Sequence, residues 1–435
     1  MEETKNILKT LVSYNSIKEK EEEGAPFGKS NKECLEKALE IGKNLGFKTK
    51  NLDGYCGYME IGEGKDIIGI VGHLDIVPAG TGWDTPPFTL TEKNGYLYGR
   101  GTTDDKGPVA ASITALKEIN ESGLKLNKRI RLILGCDEES GSACIKHYNE
   151  VEEPVTIGFT PDGEFPCIHG EKGMLFGTIT SKETNIIDIK GGTVSNAVPS
   201  NCKLEIKNKS INTNQFKNFI EKNGLTCQIT ENENMVIEVN GISAHASTPE
   251  LGINAISYAL VGLKEAGYKD SFVDMFYNNI NTSTDGSKAG LNITDDFGDL
   301  TLNIGLIEKK ENIIVTFDIR FPVTKKSSEI KISLNTNLIP YTKFDEVEEP
   351  LFYELDSKLV KTLMESYKSI MNDNLKPIVI GGGTYAKAMP NIIAFGSEFP
   401  NNHNNMHNAN ESAKISDIEL QIKLYKKAIE KLLEV

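Results

Sequence analysis

The sequence predicts an α/β protein, with a mixed, mainly parallel sheet flanked by helices and an inserted α+β domain. Strand-like apolar runs alternate with segments of helical spacing in the first part of the chain, and this order is typical of a parallel sheet wrapped by helices. After about residue 175 apolar and polar positions alternate, which favours antiparallel strands. The 435 residues also exceed what one hydrophobic core usually supports.

The elements of the first part follow from local patterns. Residues 5–12 and 33–45 place apolar side chains at helical spacing, and Gly46 suits a helix C-cap. Residues 107–119 are predicted to form a helix with Pro108 in its first turn. Continuous apolar runs predict buried strands at 66–72, 129–135 and 155–159. In such sheets functional groups gather beyond the carboxyl ends of the strands.

The inserted domain is predicted over residues 176–345, where we expect it to act as a lid. Its predicted elements are strands at 235–239 and 313–320 and a helix at 253–266. Helical periodicity then returns at 356–371 and 416–433. We therefore expect residues 1–175 and 346–435 to form one discontinuous catalytic, metal-binding domain.

Charge and cysteine content narrow the class of protein. The formal charge of −14 argues against nucleic acid or an anionic membrane surface as the main partner, since both bind clustered Lys and Arg. The seven cysteines are odd in number and form no C-x-x-C pair, which indicates reduced thiols. The first residues lack the apolar core of a signal peptide, and no apolar run is long enough to span a bilayer. We therefore expect a cytoplasmic globular protein.

Four clusters of acidic residues or histidine follow predicted strands or lie in turns. Residues two apart on a strand share a face, so His73 and Asp75 could be a metal ligand and the group that orients it. A hydrogen-bonded buried histidine explains His73 equally well. Asp104 and Asp105 lie in a Gly-rich turn, where Asp105 could simply cap the following helix while Asp104 has no such need.

The remaining clusters also have structural alternatives. Asp137, Glu138 and Glu139 are consecutive, and three neighbouring carboxylates repel one another unless cations lie among them. A solvated loop is the alternative. Asp162 follows another strand, where it could be a turn-forming aspartate. His407, in a polar segment before the last helix, would be an ordinary loop histidine if the other clusters were absent.

Together these motifs resemble one superfamily of enzymes. The motifs are Gly72-His-Leu-Asp75, Gly99-Arg-Gly-Thr-Thr-Asp-Asp-Lys-Gly107, Asp137-Glu-Glu-Ser-Gly141 and Thr160-Pro-Asp-Gly-Glu-Phe-Pro166. They are similar to those of the co-catalytic zinc metallopeptidases, which include aminoacylase-1, glutamate carboxypeptidase of the carboxypeptidase G type and succinyl-diaminopimelate desuccinylase. The segments Gly170-Glu-Lys-Gly173, Asp318-Ile-Arg-Phe-Pro322 and 382–390 look most like the peptidase V branch of dipeptidases. The resemblance covers the whole chain.

The resemblance implies a centre of two divalent metal ions. The implied ligands are His73 and Asp162 for one ion, Glu139 and His407 for the other, and Asp104 for both. Zn²⁺ suits this mixture of imidazole and carboxylate donors, and Mn²⁺ or Co²⁺ are alternatives. His403 lies close to His407, which we choose because Glu411 stands at the spacing of the family's acidic residue.

Catalytic roles are implied for two further acids of these motifs. Asp75 would orient His73, and Glu138 would be the general base that takes a proton from water. The family also implies a cis peptide bond between Asp104 and Asp105.

Substrate contacts are implied as well. His245 matches the histidine that polarises the scissile carbonyl, and Asn196 matches a substrate-binding position. Thr384 lies in a Gly-rich turn that would approach the substrate. Arg320 would bind a free C-terminal carboxylate, with a structural salt bridge as the alternative.

The implied function is hydrolysis of the amide bond of dipeptides. The insert is long, as in peptidase V, where it substitutes for a partner's lid, so we expect a monomer acting on a small peptide. A deacylase or desuccinylase that uses the same centre on N-acyl amino acids is the closest alternative. A catalytically dead homologue that only binds peptide is the alternative from another class.

Overall fold

The structure is a computed structural model that describes residues 1–400, 402 and 404–435. The chain forms two compact units. The first consists of Met1–Gly170 and Tyr353–Val435, and the second of Glu171–Phe352. The second unit is therefore continuous in sequence, whereas the first contains both ends of the chain.

A mixed sheet forms the centre of the first unit. Its strands, in spatial order, are Lys48–Leu52, Cys56–Ile61, Arg129–Gly135, Ile67–His73, Ile157–Thr160, Ile392–Ala394 and Ile168–Glu171, and Ile378–Ile380 pairs with the last of these. The four strands from Arg129–Gly135 to Ile392–Ala394 are mutually parallel. The strands Cys56–Ile61 and Ile168–Glu171 on either side are antiparallel to them, and Lys48–Leu52 is antiparallel to Cys56–Ile61. All seven residues of Ile67–His73 are buried, as expected for a central strand covered on both faces.

Helices and a small second sheet complete this unit. The helices are Glu2–Val12, Lys29–Asn44, Lys106–Glu121, Ala143–Val151, Lys358–Lys368, Tyr385–Ala388 and Ile415–Leu433. The small sheet has the strand order Ser412–Lys414, Tyr96–Tyr98, Thr91–Lys93. Parallel strands joined by helices confirm the predicted fold class, and the predicted helix 107–119 lies within Lys106–Glu121.

An antiparallel sheet of eight strands forms the second unit. In spatial order its strands are Thr226–Glu231, Asn234–Asn240, Asn201–Lys207, Asp188–Gly191, Thr301–Lys309, Ile313–Phe321, Gly173–Ser181 and Thr342–Glu348. The helices are Thr213–Lys222, Ala255–Glu265, Ser271–Asn279 and Ser327–Ser333, with 3₁₀ turns at Pro249–Leu251, Ser287–Ala289 and Ile339–Tyr341. Short strands at Thr294–Asp295 and Gly298–Asp299 pair with each other, and Leu351–Phe352 ends the unit. Apolar residues of the sheet and of helix Ala255–Glu265 form its core.

Two further features concern the lengths of the helices and the state of the cysteines. Within the described residues, no helix is both long and apolar enough to cross a membrane. All seven cysteines are free thiols, and six of them are buried.

Candidate metal centre

Three neighbouring parallel strands deliver the predicted ligands to one edge of the sheet. His73 is the last residue of its strand, Glu138 and Glu139 follow Arg129–Gly135, and Asp162 follows Ile157–Thr160. Because these strands are parallel, their carboxyl ends meet at the same edge. Side chains far apart in sequence therefore converge there.

Asp104 lies at the middle of the cluster. Its Oδ1 is 2.8 Å from His73 Nε2, and its Oδ2 is 2.7 Å from His407 Nε2. The Asp104–Asp105 peptide bond is cis. Each carboxylate oxygen thus contacts a different imidazole, which is the arrangement required of a carboxylate shared by two ions.

Two groups of donor atoms are compact enough to hold a cation. One atom each from His73, Glu138 and Asp162 lie within 4.8 Å of one another, and the same holds for His73, Asp104 and Glu139. His407 joins the second group, since its Nε2 is 3.4 Å from Glu139 Oε2. The structure thus brings together all five predicted ligands and the predicted base. His407 stands at the rim, with 49% of its side chain exposed, whereas His73 is fully buried.

The carboxylates of the cluster disfavour one another's charge. Burial, together with the charge of Asp162, raises the pKa of Glu138 well above its usual range. Burial and the charge of Asp104 raise the pKa of Glu139. Such a cluster of partly buried acids gains stability from bound cations.

Asp104 raises the pKa of both imidazoles. Burial lowers the pKa of His73, but the hydrogen bond to Asp104 and the negative charges of Asp104 and Asp75 outweigh it, and the net pKa is raised. For His407 the same balance, dominated by Asp104 and Glu139, raises the pKa to about 11. Burial raises the pKa of Asp104, but the two imidazoles outweigh it and lower the pKa. The same nitrogen and oxygen donors fit divalent ions.

Asp75 contacts His73 through its backbone. His73 Nδ1 lies 2.9 Å from the carbonyl oxygen of Asp75 and 3.5 Å from its Oδ1. The carboxylate instead accepts a hydrogen bond from the Glu139 N–H through Oδ2, at 3.1 Å. Donation from Nδ1 to a carbonyl leaves Nε2 as the ligand atom.

The sequence did not reveal the structural role of Glu411, whose spacing was used only to choose His407 as the ligand. Its Oε1 accepts hydrogen bonds from the N–H groups of Gly101, Thr103 and Asp104, at 3.0, 2.9 and 3.3 Å. Its Oε2 pairs with Arg100 Nη1 at 2.6 Å, and both side chains are buried. Arg100 was the sequence feature that pointed to an acidic partner, because a cation that is buried in a tight Gly-rich turn requires an anion beside it.

The neighbouring acids hold the frame of the centre. Asp105 is the N-cap residue of helix Lys106–Glu121 but forms no side-chain cap bond; its Oδ2 accepts from the His73 N–H at 3.0 Å. Asp137 accepts from Lys18 Nζ at 2.8 Å and from the Ala143 N–H at 3.0 Å.

Two predicted substrate-binding residues are brought together in the second unit. The Ala246 N–H donates to the Asn196 carbonyl at 3.0 Å, and Ala197 forms a β-bridge with His245. His245 Nδ1 accepts from the Ser247 N–H at 3.2 Å and lies 2.7 Å from Ser247 Oγ. With Nδ1 accepting, Nε2 carries the hydrogen of the neutral imidazole.

The other two residues predicted to bind substrate, Arg320 and Thr384, form hydrogen bonds within the protein. Arg320 is buried and donates through Nε and Nη2 to the two oxygens of Asp318, both at 2.7 Å, which is the salt bridge left open by the sequence. Thr384 Oγ1 accepts from the Ala386 N–H at 3.1 Å and so caps a short helix. His403 lies outside the described residues.

Comparison with sequences of known proteins identifies relatives along almost the whole chain. The family described as "Peptidase family M20/M25/M40" matches residues 69–431. The protein named "Putative dipeptidase YtjP" of Bacillus subtilis (strain 168) is 35% identical over 428 residues, covering 94% of this chain and 92% of that protein.

Solved structures share the fold. Human carnosine dipeptidase 1 matches with a TM-score of 0.61 at 14% identity, covering 100% of this chain and 96% of that one. The Bacillus subtilis YXEP protein, described as a dinuclear metal binding peptidase from the M20 family, matches with a TM-score of 0.52 at 10% identity, covering 99% and 98%. At such identities the likeness concerns the fold alone.

Proposed function

The chain belongs to peptidase family M20/M25/M40, and from that membership we propose that it is a metal-dependent dipeptidase. One observation carries the proposal: the Asp104 carboxylate lies between His73 and His407, within a group of further carboxylates. The name of the Bacillus subtilis relative supports dipeptides as the substrate class.

The proposed centre uses the ligands implied by the sequence. His73 and Asp162 would hold one divalent ion, Glu139 and His407 would hold the other, and Asp104 would serve both. Mixed imidazole and carboxylate donors favour Zn²⁺, with Mn²⁺ or Co²⁺ as alternatives. When bound, such ions activate a water molecule and polarise the amide carbonyl.

Glu138 is the proposed general base. Burial beside Asp162 raises its pKa, so its carboxylate binds a proton more readily than an ordinary glutamate does. It accepts a proton from the attacking water and then donates that proton to the leaving amine. A group in this role contributes roughly 10²–10⁴-fold to the rate.

Residues of the second unit are proposed to contact the substrate. The Nε2 hydrogen of His245 can stabilise the oxyanion, because Nδ1 accepts from the Ser247 N–H. Asn196, on the adjoining segment, contacts the dipeptide backbone. Arg320, oriented by Asp318, binds the free C-terminal carboxylate. Thr384 in the first unit is the remaining proposed contact.

Metal-reconstituted turnover on three substrate classes tests this function. The panel contains dipeptides, including β-alanyl and Xaa-His members, N-acetyl amino acids and N-succinyl amino acids. We expect the dipeptides to be hydrolysed fastest and a chelator to abolish the activity. Faster hydrolysis of the N-acyl substrates would make the protein a deacylase. Absence of metal-dependent hydrolysis from the whole panel would leave a peptide-binding homologue.

We also propose that the protein works as a monomer in the cytoplasm. The free thiols support a reducing compartment. Light scattering measures the oligomeric state directly.

A further inference from the structure

The loop that carries Asn196 rests on a buried asparagine of the neighbouring strand. Asn303 lies in the strand Thr301–Lys309 and is 1% exposed. Its Nδ2 donates to the carbonyl oxygens of Ser195, at 3.3 Å, and Ala197, at 2.9 Å. An amide nitrogen has two hydrogens, so both are used on the residues that flank Asn196.

A second asparagine fixes the orientation of the Asn303 amide. Asn254 Nδ2 donates to Asn303 Oδ1 at 3.2 Å and to the Ile304 carbonyl at 2.8 Å. Asn254 Oδ1 accepts from the N–H groups of Ile256 and Ser257, both at 3.1 Å, at the start of a helix. Rotating either amide by 180° would set donors against donors, so the network admits one arrangement.

The strand makes room for the loop at Gly305. The register between strands Thr301–Lys309 and Ile313–Phe321 shifts at this residue, between Ile304 and Leu306. A Cβ atom at Gly305 would lie 2.2 Å from the Ser195 carbonyl oxygen. The loop is therefore seated directly on the strand, and its distance from the strand cannot vary without breaking the Asn303 bonds.

The opposite side of the loop holds the segment of His245. The Asn196 carbonyl, between the two that accept from Asn303, accepts instead from the Ala246 N–H at 3.0 Å. The Val198 N–H donates to the Ala244 carbonyl at 2.8 Å. Asn303 thus supports, through one layer of backbone, the segments that present Asn196 and His245.

We propose that Asn303 is a positioning residue that sets the placement of Asn196 and His245 for catalysis. This inference rests on the proposed function, in which those two side chains contact the substrate. Asn303 acts only through the loop backbone. Since His245 acts on the developing oxyanion, its displacement lowers kcat more than it raises KM.

The first test compares two alanine variants of the second unit. Asn303→Ala removes the support of the loop, and Asn279→Ala is the matched control. Asn279 is also buried and also bonded to another asparagine, with Asn335 Nδ2 at 3.1 Å from its Oδ1. We expect Asn303→Ala to lower kcat about 10- to 100-fold with little change in KM, and Asn279→Ala to leave both constants unchanged. Equal effects of the two variants would overturn the proposal.

The second test asks whether Asn303 acts through His245. In a His245→Ala background, Asn303→Ala should cause little further loss of kcat, because the side chain through which Asn303 affects kcat is gone. If Asn303→Ala lowers kcat in that background by the same factor as it does in the wild type, Asn303 has a general structural role and the proposal is overturned.

A third measurement does not depend on turnover. Hydrogen exchange of the Val198 and Ala246 amides should accelerate in Asn303→Ala and stay as in the wild type in Asn279→Ala. Unchanged exchange in Asn303→Ala would overturn the proposal. If the wild type hydrolyses no dipeptide, the proposed function fails, and hydrogen exchange still decides whether Asn303 holds the loop.

Discussion

The carboxylate of Glu411 accepts a hydrogen bond from the backbone N–H of Asp104, at 3.3 Å, across 307 residues of sequence. The same oxygen accepts from Gly101 and Thr103, so the turn before Asp104 is fixed at three points. Glu411 adjoins the strand Ser412–Lys414, which pairs with Tyr96–Tyr98 just before that turn. Glu411 therefore fixes the backbone that carries the Asp104 carboxylate, although the two residues lie far apart in sequence.

Glu411→Gln should weaken both the fold and the metal centre. The amide can still accept from the turn, but it no longer neutralises the buried Arg100, and loss of one partner of a buried pair costs about 3–5 kcal/mol. We expect metal affinity to fall about 10- to 100-fold. Denaturant unfolding and metal titration measure the two effects. Glu153→Gln, which removes the exposed partner of Arg129, is the control and should leave the free energy of unfolding and the metal affinity nearly unchanged. Equal losses in both variants would contradict this interpretation.

Glu138→Ala should retain two metal ions and lose turnover by about 10²–10⁴-fold, because the base is removed while the ligands remain. Glu139→Ala is its counterpart and should lose one ion. Metal analysis beside steady-state kinetics distinguishes the two roles. A metal deficit in Glu138→Ala would make that residue a ligand, which its position with His73 and Asp162 also permits.

The central part of the candidate centre could be predicted from local pattern. The strand Ile67–His73 is a continuous apolar run because both its faces are covered, and that run showed where its carboxyl end lies. Side chains two apart share a face only within a strand. That argument does not extend to Asp75, because the strand ends at His73. The bonds of Glu411 and Asn303 could not be predicted, since they join segments whose proximity is set by tertiary packing.

Without metal, the protein should lose stability as the pH rises. Glu138 and His407 both have raised pKa values in the folded chain, so the folded state binds more protons than the unfolded state. The stabilisation of the folded state by these groups is complete below their ordinary pKa values, 4.5 for Glu138 and 6.5 for His407. For His407 this stabilisation is lost progressively as the pH rises to about 11. Asp104 acts in the opposite sense, because its lowered pKa contributes stability above 3.8 that is lost in acid.

Thermal unfolding between pH 5 and 9, with chelator and with Zn²⁺, measures this dependence. Metal ions replace the bound protons, so the difference in Tm between the two forms should widen as the pH rises. A constant difference would show that the cluster does not exchange protons for metal.

Arg320→Ala should raise KM more for free dipeptides than for C-terminally amidated ones. The variant also leaves Asp318 buried without its partner, which costs about 3–5 kcal/mol. The double variant Arg320→Ala/Asp318→Ala should recover part of this stability while keeping the KM defect. Michaelis constants for matched free and amidated substrates provide the measurement. An equal rise for both substrates would assign Arg320 to the salt bridge alone.

The strand Ile392–Ala394 lies inside the sheet, between Ile157–Thr160 and Ile168–Glu171, although it comes near the end of the chain. During synthesis the second unit is complete once residue 352 has been made, whereas the first unit must wait for this late strand and for His407. A chain that stops before residue 392 thus lacks an interior strand of this sheet and His407, one proposed ligand. Synthesis has to pass residue 407 before the proposed centre can form.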